Sequence, residues 1–241
     1  MKIGNLIWVI VALAIVPSAW LVSQGFKRTP AGEYIAVTGM AEVDFNSDLI
    51  VWSANFTRQS MDQKDAFQQI KSDQKKVESF LKTQGVKASE IIFGTVSIEK
   101  QFDYHYENGA SNRVFEGYLV SQSVTVKSSR VEEVEEISRE SMSLVEAGVE
   151  FNSQSPYFYY TKLADLKIDL IEKATKDARL RAEKIAKAAG SALGALKSSD
   201  LGVFQITGQY ENEEYSWGGV FNTRSKLKTA RVTVTCRYKP D

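Results

Sequence analysis

The amino-acid sequence predicts an α+β fold: antiparallel sheets with helices packed on one face, preceded by one N-terminal transmembrane helix. Residues 228–239 alternate strictly between apolar and polar side chains, which is the period of a half-buried strand. Residues 163–189 instead repeat apolar side chains at helical spacing. Along the chain, the order β-β-α-β-β-α begins a series of strands and helices. This order favours a duplicated ββα-type arrangement.

The first segment, residues 3–22, carries no charged side chain. Twenty helical residues are about 30 Å long, which is the thickness of the hydrocarbon core of a bilayer. Trp8 and Trp20 lie near the two ends of the segment, where indole rings favour the membrane interface. Its length favours an uncleaved anchor, while Ser23-Gln24-Gly25 is an acceptable cleavage site for a signal peptide.

These features predict three parts: an anchor or signal sequence over residues 1–25, a linker over 26–33 and one α+β domain over 34–241. N-terminal apolar segments usually export the rest of the chain. We therefore expect a protein of the cell envelope, anchored in the inner membrane with its domain in the periplasm, or periplasmic if the segment is cleaved.

The first half of the domain is predicted to begin with two strands, residues 34–45 and 49–57, joined as a hairpin by Asn46-Ser47-Asp48. A helix follows from the capping box at Ser60 to Gly85, a typical residue at the end of a helix. Residues 91–98 and 115–127 are predicted strands. The polar stretch between them, residues 102–113, is interpreted as a long connection.

The second half is predicted to contain a helix over residues 130–147, a strand over 149–159 and the long helix over 163–189. Strands are expected at 201–209 and 228–239, and residues 210–225 between them are interpreted as a mobile loop. The acidic run that begins at Glu132 lies in the first turns of its helix. There it complements the helix dipole and indicates a solvated face.

Composition narrows the classes of function. Lysine plus arginine and aspartate plus glutamate both number 30, so net charge gives no reason to expect a nucleic-acid partner. Cys236 is the only cysteine, which excludes an intramolecular disulfide, and His105 is the only histidine, which excludes a multi-histidine metal site. The chain has no glycine-rich phosphate-binding or dinucleotide-binding motif. We therefore predict no enzyme activity, no catalytic residue, no cofactor and no metal.

Several short sequence motifs match those of a known family. Val37-Thr38-Gly39 opens a phrase that ends at Asp48, Leu81-Lys82 precedes Gly85-Val86 at the end of the first helix, and Gly117-Tyr118 precedes a Val-Thr-Val strand. The most specific match is an alanine-rich helix ending in glycine: Ala174, Asp177, Ala178, Ala182, Glu183, Ile185, Ala186, Ala188, Gly190, Leu193 and Gly194. In order and spacing these phrases resemble the SIMPL-domain (DUF541) family, a group that includes a bacterial periplasmic immunogen.

The resemblance implies an exported α+β domain with duplicated halves and no known catalytic residue. It also implies assembly into rings or channel-like oligomers and a link to oxidative-stress defence. The predicted function is thus a non-enzymatic envelope protein that self-associates as a scaffold or interaction module. The alternative is a module that binds a ligand or the cell wall, and a hydrolase is the least favoured. Candidate ligand or oligomer contacts are Tyr104, Tyr106, Phe158 and Tyr159.

Overall fold

The computed structural model of the chain describes residues 34–107 and 110–241. The predicted transmembrane segment, with Trp8 and Trp20, lies outside these residues. None of the helices in the described ranges combines the length and apolarity needed to cross a bilayer.

The described residues form a mixed α+β fold with antiparallel sheets, as predicted. The helices are α1 (Gln63–Thr83), α2 (Val131–Glu140), the short α3 (Ser143–Glu146) and α4 (Leu163–Ala188), with one 3₁₀ turn at Ala88–Glu90. The strands are β1 (Ile35–Asn46), β2 (Leu49–Ser60), β3 (Ile91–Phe93), β4 (Ser97–Glu107), β5 (Ala110–Ser128), β6 (Glu150–Ser153), β7 (Tyr157–Tyr159), β8 (Leu193–Leu201), β9 (Gln205–Gly208), β10 (Val220–Phe221) and β11 (Leu227–Pro240).

The strands form two sheets. One has the order β1-β11-β9-β10, with β8 also paired to β11. The other has the order β3-β5-β2-β6, with β4 paired to β5 and β7 paired to β2. The pair β9–β10 is parallel, and the other strand pairs with a described register are antiparallel.

The predicted hairpin of the first two strands is wrong, because β1 and β2 belong to different sheets. The intervening residues bind other parts of the chain instead of each other. The Ser47 N–H donates to the Lys226 carbonyl at 3.0 Å, and the Asp48 N–H donates to the Tyr159 carbonyl at 3.0 Å. The Asp48 carboxylate also accepts from the Thr161 N–H and hydroxyl, both at 2.7 Å. These bonds hold a crossover between sheets where the sequence suggests a tight turn.

Other element boundaries also differ from the prediction. The helix expected over 130–147 is divided into α2 and α3, and the strand expected over 149–159 is divided into β6 and β7. The strand predicted at 91–98 is divided into β3 and β4, and residues 102–113, interpreted as a connection, are largely strand. Strand β8 is not predicted from the sequence, because most of its residues are exposed and do not alternate between buried and exposed positions. It is held instead by its ladder with β11 and by the Arg237–Asp200 ion pair at 2.6 Å.

The chain divides into two compact units. Unit one comprises residues 34–41, 170–202 and 232–241 of the described chain, and unit two comprises residues 42–169 and 203–231. Strands β1 and β11 and helix α4 each have residues in both units.

Unit two has a core of large apolar side chains. Helix α1 buries Ala66, Ile70, Val77 and Leu81, and β2 buries Ile50, Trp52, Ala54 and Phe56. Residues of β5, α2, α3, β6 and β7 complete this cluster. Asp73 is the buried acidic residue of α1, and it pairs with the Arg58 guanidinium. Hydrogen bonding to Asp73 raises the pKa of Arg58.

In unit one, helix α4 packs mainly through small side chains. Helix α4 buries Leu170 and an alanine at every fourth position: Ala174, Ala178, Ala182 and Ala186. The approach to β1 is so close that a Cβ on Gly39 would lie 2.8 Å from the Cα of Ala178. Next to it, the Met40 N–H donates to the Asp177 carboxylate at 2.9 Å, and this bond lowers the pKa of Asp177. Cys236 is a free, fully buried cysteine of β11, so it acts as a small apolar side chain.

Candidate interaction surface

Strands β4 and β5 extend past the six-stranded sheet as a two-stranded arm, which we define as residues 102–107 and 110–117. Strand β2 pairs with β5 from Tyr118 to Ser128, whereas β4 pairs with β5 from Ala110 to Ser121. Within the arm, β4 and β5 have each other as strand partners and no further strand among the described residues. Because an isolated two-stranded hairpin is at best marginally stable in water, the arm depends on its own side chains or on a partner.

The arm is stabilised by stacked aromatic side chains. The guanidinium carbon of Arg113 lies 3.5 Å from the ring centre of Phe102 and 6.0 Å from that of Tyr104. Phe102 and Phe115 stand edge to face with ring centres 5.5 Å apart, and Phe115 meets Tyr118 in the same way at 5.3 Å. These contacts continue from the arm into the sheet, so they fix the direction in which the arm projects.

Gly117 allows the arm to leave the sheet. Its φ angle is 115°, and a Cβ at this position would lie 2.6 Å from the Ser60 carbonyl oxygen. The register of the β4–β5 ladder shifts between Gln101 and Phe102, opposite this glycine. A bulge of this kind bends the strand and changes the direction of the hairpin.

The outer edge of β4 is open. In the part of the chain that the structure describes, β4 pairs with β5 on one side and with no strand on the other, over eleven residues. Tyr104 is 55% exposed, and Ile98 is also exposed. An exposed edge strand presents unpaired backbone N–H and C=O groups, and these groups bind another strand.

A groove lies at the base of the arm. Its volume is about 620 Å³, and its lining residues are Met61, Asp62, Gln63, Lys64, Phe67, Ile98 and Tyr118. The first turn of α1 supplies one wall, where the Asp62 carboxylate caps the helix by accepting from the Asp65 N–H at 2.9 Å. The Lys71 ammonium lies 5.1 Å from the ring centre of Phe67. A lining that combines apolar side chains with charged ones suits a peptide or a small amphipathic molecule.

The structure separates the four predicted contact residues. Tyr104 lies on the arm, and the Tyr106 backbone is part of the same ladder, opposite Ser111. Phe158 and Tyr159 lie on β7, which pairs with the first residues of β2, whereas the arm begins near the last. At about 3.3 Å per residue, these ends are roughly 30 Å apart along the strand. Phe158 is 6% exposed and belongs to the core, and Tyr159 is half-buried.

The segment interpreted as a mobile loop, residues 210–225, contains β10 and a network of polar contacts that the sequence does not reveal. Lys228 is buried beneath it and donates to the Asn222 carbonyl at 2.9 Å and to the Ser225 carbonyl. Burial lowers the pKa of Lys228 to about 8, opposed by the charges of Glu211 and Glu213. The segment contains Trp217, which is fully exposed, and Tyr210, which has a positive φ of 65° although it is not a glycine.

The described side chains contain no group of three or more His, Cys, Asp or Glu residues arranged to hold a metal ion. The surface built by β4, β5 and α1 consists of the unpaired edge of β4 and of apolar and aromatic side chains.

The chain was compared with known proteins. The model of the family described as SIMPL, a protein of unknown function (DUF541), matches residues 35–238. The chain belongs to the SIMPL family. No curated protein matches it. In this SIMPL domain, the residues of the most specific family phrase are packing residues: Ala174 and Ala178 face Gly39, and Asp177 binds the Met40 amide.

Proposed function

We propose that this SIMPL protein is a non-catalytic scaffold of the cell envelope that self-associates by pairing the outer edge of β4 with the same edge of a second copy. The observation that carries the proposal is the open eleven-residue edge of β4, continued into an arm with no further strand partner among the described residues. Pairing two such edges would satisfy their backbone groups and join two sheets into one.

A two-fold arrangement allows the partner to be a second copy of this chain. Directly opposite residues of an antiparallel pair project to the same face, so the two-fold axis passes between the two copies of one residue. With the axis at Phe102, Gln101 lies beside it and the same patch of β4 serves both copies.

The place of action is part of the proposal. The apolar run over residues 3–22 supports attachment to a membrane, with Trp8 and Trp20 at its interfaces, or export if the run is cleaved. A duplicated ββα origin of the domain and a role in stress defence stay predictions from the family resemblance.

Light scattering on the full chain in a mild detergent tests the proposal. We expect a concentration-dependent oligomer that Ile98→Lys with Tyr104→Lys dissociates, because charges on an edge strand oppose strand addition. Met142→Lys is the matched control, since Met142 is 56% exposed and follows α2 instead of lying on β4. A chain that stays monomeric at high concentration, or an oligomer that the double variant leaves intact, would refute pairing through β4.

The groove at the base of the arm favours a second candidate function, the binding of a ligand or of the cell wall. Its volume of about 620 Å³ falls in the range of small-molecule pockets. Phe67→Ala should then weaken retention of the full chain on purified cell-wall material without changing the oligomer. Equal retention of both chains would count against this function and leave self-association untouched.

A further inference from the structure

Unit one carries a second groove, which lies between the first residues of β1 and the C-terminal half of α4. Its volume is about 560 Å³, and its lining residues are Ala36, Val37, Thr38, Leu180, Arg181, Lys184 and Ile185. Strand β1 forms one wall and stands at the edge of its sheet, because β11 is its strand partner and no other described strand pairs with it. The groove therefore runs along an open strand edge.

Two side-chain contacts show that β1 and β11 run in opposite directions. The Thr38 and Thr235 hydroxyl oxygens lie 2.9 Å apart, and Glu42, further along β1, pairs with Arg231, which comes earlier on β11. In an antiparallel pair, residues alternate between those that exchange hydrogen bonds with the partner strand and those that direct N–H and C=O away from it. One residue of known direction therefore assigns its neighbours on β1.

Met40 supplies that direction. Its N–H donates to the Asp177 carboxylate of α4 at 2.9 Å, so it points away from β11. By alternation, Thr38 and Ala36 also direct their N–H and C=O groups to the open edge. Within the described residues, no side chain or loop does for Ala36 or Thr38 what Asp177 does for Met40. These two residues line the groove with backbone groups that suit a further strand.

The α4 wall of the groove is positively charged. Arg181 and Lys184 line it, and none of the lining residues carries a carboxylate. Arg181 pairs with Asp177 at 2.9 Å, which holds its guanidinium close to the edge of β1. Leu180 and Ile185 lie on either side of these two cations around the helix and add apolar contacts. A guest with carboxylates on the side that faces α4 complements this wall.

We propose that this groove binds an extended, acidic peptide segment of a partner protein, which adds to the edge of β1 as a further strand. The guest exchanges backbone hydrogen bonds with Ala36 and Thr38. Every second side chain of the guest faces α4, where a carboxylate reaches Arg181 and Lys184. Peptides bind open sheet edges in this way: main-chain bonds give affinity, and side-chain contacts give specificity. The groove contains no residue of β4, so peptide binding and self-association can be tested separately.

The test uses the full chain in a neutral detergent and a fluorescein-labelled six-residue peptide of alternating threonine and glutamate. Its matched control is the same peptide with glutamine in place of glutamate. Fluorescence anisotropy should show roughly ten-fold tighter binding of the acidic peptide, because hydrogen bonds to charged groups are the stronger ones. The difference should shrink at high salt, since salt screens exposed charges.

Two variants test the two walls. Ala36→Pro should abolish binding, because proline removes an outward N–H, and an edge strand tolerates it there. Ala36→Ser keeps the N–H and should bind like the original chain. Lys184→Glu should weaken binding of the acidic peptide at least ten-fold. Lys197→Glu is its control, because Lys197 is exposed on β8, on the far side of β11 from β1.

Hydrogen exchange followed by mass spectrometry locates the guest. The acidic peptide should slow amide exchange in residues 35–41, where the added strand covers the edge. This measurement and Lys184→Glu still decide the matter if circular dichroism shows that Ala36→Pro does not fold.

Four outcomes overturn the proposal. Equal affinity for the two peptides, or no binding of the acidic one at millimolar concentration, removes the acidic guest. Unchanged binding by a folded Ala36→Pro chain removes strand addition. Slow exchange in residues 35–41 without any peptide shows that the edge is already covered: by a second copy if dilution releases it, and by the chain itself if dilution has no effect.

Discussion

The two helix layers of this protein are packed in opposite ways. In unit two, α1 meets its sheet through Ile70, Val77 and Leu81, so bulky side chains fill the space between the layers. In unit one, α4 meets β1 through alanines, and the two backbones approach so closely that β1 has Gly39 at the crossing. The α1 layer is stabilised by the burial of large apolar side chains. The α4 layer requires small residues, because larger ones would not fit between the two backbones.

The residues that match the family motifs and the residues of the candidate interaction surface lie in different units. The family phrases around Gly39 and Ala178 lie in the close layer of unit one, where they act on packing. The open edge of β4 and the arm belong to unit two, outside its apolar cluster. A change in the first set should alter stability, and a change in the second should alter association.

The largest expected effect comes from removing volume in unit two. Ile70 is fully buried, so Ile70→Ala should cost about 3.5 kcal/mol of unfolding free energy through lost burial and a residual cavity. The matched change on the other helix, Ala178→Gly, should cost only about 1 kcal/mol, the difference in helix propensity. Urea unfolding measures both, and equal losses would contradict the difference between the layers.

Adding a side chain should destabilise unit one more than unit two, which is the reverse of the order expected for removing one. Gly39→Val places a side chain against the backbone of α4, and we expect a loss of about 3 kcal/mol. Gly85→Ala is the control: a Cβ added there would meet no atom within 4 Å and φ is 79°, so the cost should be about 1 kcal/mol from backbone strain alone. A thermal melt in which both variants lose the same stability would show that β1 and α4 have room to separate.

A carboxylate at the end of the α1 layer makes stability depend on pH. Burial opposes ionisation of Glu90, but hydrogen bonds from the Ser128 hydroxyl, the Lys87 amide and Arg130 outweigh it and lower its pKa to about 2. A lowered pKa stabilises the folded state above the ordinary pKa of about 4.5, and this stability is lost as pH falls toward 2.

We expect this loss to be about 2 kcal/mol between pH 5 and pH 2, since the group is mostly but not fully buried. In Glu90→Gln this part of the pH dependence should disappear. Unfolding by urea at a series of pH values measures the difference, and parallel profiles for the two chains would refute the role of Glu90.

Apart from the two comparison changes Ala178→Gly and Gly85→Ala, the smallest expected effect on stability concerns the polar bond of unit one. Asp177→Asn should cost about 1.5 kcal/mol, because the amide is a weaker acceptor for the Met40 N–H and no longer pairs with Arg181. Asp177 has a lowered pKa, so the cost should shrink as pH falls through the acidic range. A cost that does not change with pH would point to packing instead of charge.

The helices and the last strand could be predicted from the sequence because their signals are local. The stripe of α4 and the alternation of β11 need only neighbouring residues, and the structure confirms both. The partner of β1 could not be predicted in this way. It is β11, almost two hundred residues later, and the bonds that direct Ser47 and Asp48 away from a hairpin join distant parts of the chain.

The candidate surface was predictable only in part. The aromatic neighbourhood of Tyr104 marks it as a candidate contact, and Tyr104 lies on the exposed arm, whereas Phe158 is a core residue of β7. The alternation of Phe102 and Tyr104 is a strand signal, but the polar residues around them favoured a loop. The burial of Lys228 cannot be predicted from the sequence pattern, because it depends on Asn222 and Ser225, whose carbonyls accept its hydrogen bonds.

The central claim, that two copies meet through β4, is tested most directly by cross-linking at that edge. In the full chain, Gln101→Cys lies beside the proposed two-fold axis, and facing strands are about 5 Å apart. A short bis-maleimide should therefore convert most of the chain into a covalent dimer, whereas Met142→Cys should stay monomeric. Equal cross-linking at both positions, or none at residue 101 in a chain that light scattering shows to be oligomeric, would contradict the claim.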